Sequence, residues 1–116
     1  MLGQGTGKKP AVEGQIVYEI KGNKLSLKAQ CENKSGEELE LRYEFEIAQI
    51  GKGNNSVSNK QSGKKELADG ASKTLSSTAL SWREGSRIKA VLKIYHKNKL
   101  LDASTLELPA EKEAEE

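Results

Sequence analysis

Few side chains in this sequence could do chemistry, and none has the company that would activate it. The one histidine, His96, sits in His96-Lys97-Asn98-Lys99, a turn signal rich in cations. A Ser–His–Asp triad needs its imidazole oriented by a carboxylate and within reach of a hydroxyl. No serine stands near His96 on a neighbouring element, so it reads as a solvated turn histidine. The one cysteine, Cys31, excludes an intrachain disulfide, a Cys-x-x-Cys redox pair and a cysteine zinc cluster. At the end of the alternating run KLSLKAQC it reads as a small buried apolar residue. Glu40, Glu44 and Glu46 alternate with apolar residues, the pattern of a wet strand face and not of a tuned acid–base pair. The run GQGTG near the start has the composition of a phosphate loop. It lacks the preceding strand, the following helix and the Lys-Ser/Thr step that such a loop needs. The expectation is a protein without catalysis, metal or cofactor.

Charge is the remaining signal. The formal net charge is +2, but residues 11–59 carry six Lys/Arg and eight Asp/Glu, whereas residues 60–99 carry ten and three. The stretch after Pro109 adds four Glu and one Lys. The surplus cations Lys60, Lys64, Lys65, Arg83, Arg87, Lys97 and Lys99 could form a steering surface for an acidic partner. Part of the charge could instead be neutralised inside a sheet, with Glu44 and Glu46 across from Lys89 and Lys93. Nucleic acid is a poor fit, because a nucleic-acid face interleaves stacking aromatics and only Tyr18, Trp82 and Tyr95 could serve. No run of about 18 apolar residues appears, so no helical membrane span is expected. The opening ten residues lack the apolar segment of a signal peptide.

The elements that must position these residues are strands. Period-2 alternation dominates and no amphipathic helix stands out. Strands are expected over residues 15–20, 24–31, 39–47, 73–82, 86–95 and 100–108, with a short one in SGKKEL. Leu39, Leu41, Tyr43, Phe45 and Ile47 should face the core, as should Leu25, Leu27, Ala29 and Cys31, and Ile88, Ala90, Leu92 and Ile94. Leu75 and Leu80 have opposite parity, which predicts a bulge between them. Gly22-Asn23 and the HKNK run should make tight hairpins. GNNSVSNKQSGKK, residues 53–65, has no large apolar residue except Val57 and reads as a long polar connection, with Gly53 and Gly63 at special backbone angles.

Seven short strands at this spacing predict an all-β domain, best described as a seven-stranded immunoglobulin-like Greek-key β-sandwich. Strands 1, 2, 5 and 4 are expected in one sheet and 3, 6 and 7 in the other. The domain should span residues 14–109, after a flexible leader over residues 1–13 and before an acidic disordered tail over residues 110–116.

The segment YEFEIAQIGKGNNSVSNKQSGKKELADGASKTLSSTALSW resembles the CsgC/CsgH family of curli amyloid inhibitors. In that family a strand of the type Y-x-F/L-x-I/V runs into a Gly-containing loop, followed by an S-N-x-x-Q-S-G string and a short strand. Here the string is Ser58-Asn59-Lys60-Gln61-Ser62-Gly63, one residue shorter than that pattern, after Tyr43-Glu44-Phe45-Glu46-Ile47. The resemblance extends more loosely over residues 15–108. It implies a periplasmic, non-enzymatic protein, without nucleic acid or membrane insertion, that keeps the secreted curli subunit from forming amyloid. A Cys-x-Cys pair found in part of the family is missing here, so no redox role is implied. On this reading Asn59, Lys60, Gln61, Lys64, Lys65, Arg87, Lys89 and Lys93 are the candidate partner-binding residues of a monomer. Lys64, Lys65, Lys89 and Lys93 would also guard the sheet edges against joining a fibre. The alternative is an immunoglobulin-like structural or adhesion module with no amyloid-related role.

Overall fold

Alternation produces strands here because one face of each is buried against a second layer. The computed structural model describes residues 11–51, 56–83 and 85–109. The strands are β1 (Val12–Lys21), β2 (Lys24–Asn33), β3 (Leu39–Ile50), β4 (Ser56–Leu67), β5 (Ser72–Ser81), β6 (Arg87–His96) and β7 (Lys99–Leu108). They form two antiparallel sheets, ordered β1-β2-β5 and β4-β3-β6-β7. The inward residues of both sheets make one core. Leu25, Leu27 and Ala29 of β2 pack with Leu41, Phe45 and Ile47 of β3 and with Ala90, Leu92 and Ile94 of β6. Cys31 and Tyr43 are buried with them. Truncating a buried Leu or Phe at such a site costs about 2–5 kcal/mol.

Several expectations are overturned, and the largest concern β4. The polar stretch is not a loop followed by a short strand. From Ser56 onward it is one strand that pairs with β3 over twelve successive positions. Nor does it join β1, β2 and β5, since it is the edge of the other sheet. The physical reason is coverage. The four-stranded sheet is wider than the three-stranded one, so β4 overhangs and its side chains are exposed except at Leu67, with Gln61 and Gly63 half-buried. A strand without a covered face has no apolar alternation to read. Gly63 does not take the special backbone angle expected of it; it is extended within β4 and lies under the Tyr43 ring, where a Cβ would sit 3.0 Å from the Tyr43 hydroxyl. Gly53, the first ten residues and residues 110–116 lie outside the described residues.

The turns follow their chemistry. Gly22 takes φ +59° as the first residue of the β1–β2 hairpin loop, and Asn23 does not share the positive φ. Lys97 and Asn98 both take positive φ, 51° and 66°, as the two-residue β6–β7 loop requires. The parity break in β5 is a bulge. Ala29 faces Ser76 and Gln30 faces Thr74, which leaves Leu75 as the extra residue, turned into the core. β1 starts at Val12, three residues before its expected start. Asn33 is the one fully buried polar side chain among the described residues. Its amide donates to the carbonyls of Glu37 at 2.8 Å and Leu67 at 2.9 Å, and its Oδ1 accepts from the Ser35 amide at 2.9 Å. That stitches the β2–β3 connection to the end of β4.

Candidate functional site

The pairing register turns the charge pattern into a surface. On the outer face of the four-stranded sheet β4 presents Lys60, Lys64 and Glu66, and β3 presents Glu40, Arg42, Glu44 and Glu46. Arg87, Lys89 and Lys93 follow on β6, and Glu107 on β7. Charge therefore alternates strand by strand: positive, negative, positive, negative. Among the described residues this face holds six cations and five carboxylates. It is a striped surface with small net charge, and not the single-sign patch that clustering along the chain suggested.

The stripes neutralise one another locally. Glu44 stands opposite Lys93, as expected. Glu46 faces Lys60 on β4 and Val91 on β6, and Lys89 faces Ala48. Lys89 finds its carboxylate on β7, with Nζ 4.0 Å from Glu107. Arg42 donates from Nη1 to Glu44 at 3.0 Å, and its guanidinium lies 4.3 Å from the centre of the Tyr95 ring. The Arg42 hydrogen bond holds the Glu44 carboxyl below its ordinary range, helped by the charges of Lys60 and Lys93. Sequence reasoning missed the Arg42–Tyr95 contact, because only the β3–β6 register brings the two residues together.

The eight candidate partner-binding residues divide between two faces. Lys60, Lys64, Arg87, Lys89 and Lys93 lie on the outer face. Asn59, Gln61 and Lys65 alternate with them and turn to the other side of β4. There Gln61 Nε2 donates to the Thr78 hydroxyl of β5 at 2.6 Å. The order Asn-Lys-Gln thus places a cation on the wet face and an amide in reach of the facing sheet.

Elsewhere the chemistry is quiet. Burial pushes the Cys31 thiol up to about 11, so it stays protonated and unreactive at neutral pH. His96 Nδ1–H donates to the Glu40 carbonyl at 3.0 Å. A shallow depression of about 400 Å³ lies beside β1, β2 and β5, lined by Glu13, Gln15, Gln30, Glu32 and Ser72 among others. Cys31 also lines it, as a buried and protonated thiol. Among the described residues no group of His, Cys, Asp and Glu has metal-holding geometry, and no helix is long and apolar enough to cross a membrane.

This arrangement is similar to several solved structures. R. palustris CsgH superposes with a TM-score of 0.65 at 14% identity, covering 83% of this chain and 91% of that one. The E. coli curli protein CsgC gives 0.68 at 12% identity, covering 85% of this chain and 99% of that one. The fold is similar to that of CsgC and CsgH. A β-glucuronidase of glycoside hydrolase family 2 matches with a TM-score of 0.53 at 14% identity, but the match covers only 11% of that enzyme. No family model matches the chain, and no curated protein matches it by sequence.

Proposed function

We propose that this protein is a periplasmic, non-catalytic inhibitor of curli subunit amyloid formation. The observation that carries this reading is the whole-domain likeness to CsgC and CsgH. The match covers 91% and 99% of those two chains. The order of strands and polar string in the sequence points the same way. The partner is the amyloidogenic curli subunit, met as rare nuclei or early oligomers by a monomer. Lys60, Lys64, Arg87, Lys89 and Lys93 supply transient electrostatic contacts, and Asn59, Gln61 and Lys65 supply polar ones. A sandwich without an energy source cannot dismantle a fibre, so it must act before strands add to a growing edge.

The test is a time course of curli fibre formation followed by an amyloid dye, with this protein far below one equivalent. A long delay is expected, shrinking as salt rises, because exposed charges are screened within about 10 Å at 0.1 M. No delay at equal concentration would sink the reading. A delay indifferent to salt would remove its electrostatic part. The second reading, an accessory sandwich module, is favoured by the likeness to a small part of a large glycosidase. It predicts no effect on fibres at any ratio.

A further inference from the structure

A sheet edge is a row of unpaired backbone donors and acceptors, and proteins blunt such rows with bulges, inward charges or cover. Of the four edge strands among the described residues, three have their backbone row bulged or capped. β5 carries the bulge at Leu75, and β7 carries one at Leu101, where Ile94 faces Asp102 but Tyr95 faces Leu100. β1 pairs regularly with β2, but the Gly14 amide donates to Asp102 at 2.7 Å and its carbonyl accepts from the Ser104 hydroxyl at 2.9 Å. β4 carries cation guards at Lys60 and Lys64 and an exposed Lys65 on its inner side, but it has neither a bulge nor a proline, and its register with β3 is unbroken.

Two contacts show which β4 groups face away. The Glu40 carbonyl accepts from His96, so it points toward β6. Backbone groups alternate sides along a strand, so Leu41, Tyr43, Phe45 and Ile47 bond to β4, through Lys65, Gly63, Gln61 and Asn59. From the other side Lys73 Nζ of β5 reaches the Glu66 carbonyl at 3.2 Å, which places Glu66 among the outward residues. The amides and carbonyls of Ser58, Lys60, Ser62 and Lys64 are therefore the open row.

From this geometry we infer that the β4 edge accepts an extended acidic segment of a partner protein as an added strand, held by main-chain hydrogen bonds. The occupant's charge follows from the stripes. β4 is the outermost positive stripe of a sheet whose strands alternate in sign, and the next strand outward continues the alternation only if it is acidic. Main-chain pairing gives affinity to such a mode, and the side chains at alternate positions give specificity. Lys60 and Lys64 select carboxylates and, by the same charge, reject a second copy of β4. The inference deepens the proposed function by naming its contact surface, but it can fail separately.

The test is amide hydrogen exchange, resolved by residue, on the full chain. Two probes are used: freshly purified curli subunit, and a synthetic peptide alternating Thr and Glu. Strand addition slows exchange at Ser58, Lys60, Ser62 and Lys64, while Asn59, Gln61, Gly63 and Lys65, already bonded to β3, stay unchanged. No alternating protection with either probe overturns the inference. So does protection spread evenly along β4, which would mean side-chain contact alone. Ser62→Pro removes one outward N–H without touching the β3 ladder, and edge strands tolerate proline so placed. It should lose the protection. The double variant Lys60→Thr with Lys64→Thr keeps every backbone group and should weaken binding of the acidic peptide; unweakened binding would also overturn the charge selection. Alternating protection by the peptide without any delay of curli fibres would keep the edge and remove the curli reading. Delay without the alternating pattern would do the reverse.

Discussion

Along one flank of the sandwich β1 lies against β7, and along the other β4 lies against β5. The first flank is shut at Gly14, whose amide and carbonyl both find side chains of β7. The approach is so close that a Cβ at Gly14 would stand 2.7 Å from the Ile94 methyl and 3.1 Å from Leu92. Asp102 and Ser104 point inward there, and an inward charge on an edge strand is itself a guard against pairing. The second flank is bridged by long side chains, among them Lys73, which reaches the Glu66 carbonyl. Gln61 extends to Thr78, and Gln49 Nε2 donates to the Ser81 carbonyl at 2.7 Å. The difference shows that one fold can spend backbone closure on one side and leave a regular strand open on the other. The open side is the one available for recognition.

The largest expected effect comes from forcing the closed flank apart. Gly14→Val should cost about 1–3 kcal/mol, because the side-chain ends of Ile94 and Leu92 that it would strike are buried in the core and must shift. Urea denaturation checks it. A loss within error of zero would mean that β1 yields easily and that the two flanks do not differ in kind. Partner binding at β4 should be untouched in whatever fraction stays folded.

Gln61→Ala probes the open flank, and its effect should be smaller. It removes one half-buried side-chain hydrogen bond, worth about 1 kcal/mol or less. Thermal or urea unfolding would show it. A loss as large as that of Gly14→Val would make the β4–β5 link structural and undercut the view that this flank is spared for binding. Gln61→Glu sharpens the contrast further, since it keeps the length of the side chain but replaces the amide that donates to Thr78 with a negative charge on the inner side of β4.

The same contrast explains what the sequence disclosed. Leu39 to Ile47 is covered on one face, so alternation marked it as a strand and marked its inward residues correctly. The parity of Leu75 and Leu80 even located a bulge, because both side chains had to reach the same core. β4 offered no such signal. Its inward positions are Asn59, Gln61, Gly63 and Lys65, because little of the narrower sheet lies above them. Which sheet it joined was equally hidden, since that choice rests on main-chain pairing with β3 and not on any apolar face. Charge along the chain was legible, but its stripes were not. Glu46 meets Lys60, and Lys89 meets Glu107, only once the register is known.

The smallest expected effect tests whether the stripes act as charges. Glu44 accepts from Arg42 and lies between Lys93 on β6 and the β4 edge, with Lys60 close by. Its carboxyl is held below the ordinary carboxylate range in the folded protein. A group with a lowered folded value stabilises the fold above its unfolded value and loses that stabilisation as pH falls through the folded one. The Glu44 side chain keeps 29% of its exposure, so the pair is worth only about 0.5 kcal/mol. The stability gap between the protein and Glu44→Gln should therefore be present at neutral pH and close on acidification. High salt at neutral pH should narrow it in the same way. A gap that persists in acid would come from packing of the Arg42–Tyr95 stack. The negative stripe on β3 would then be a by-product of solvated strand residues, and the argument that the next strand beyond β4 should be acidic would lose its electrostatic footing.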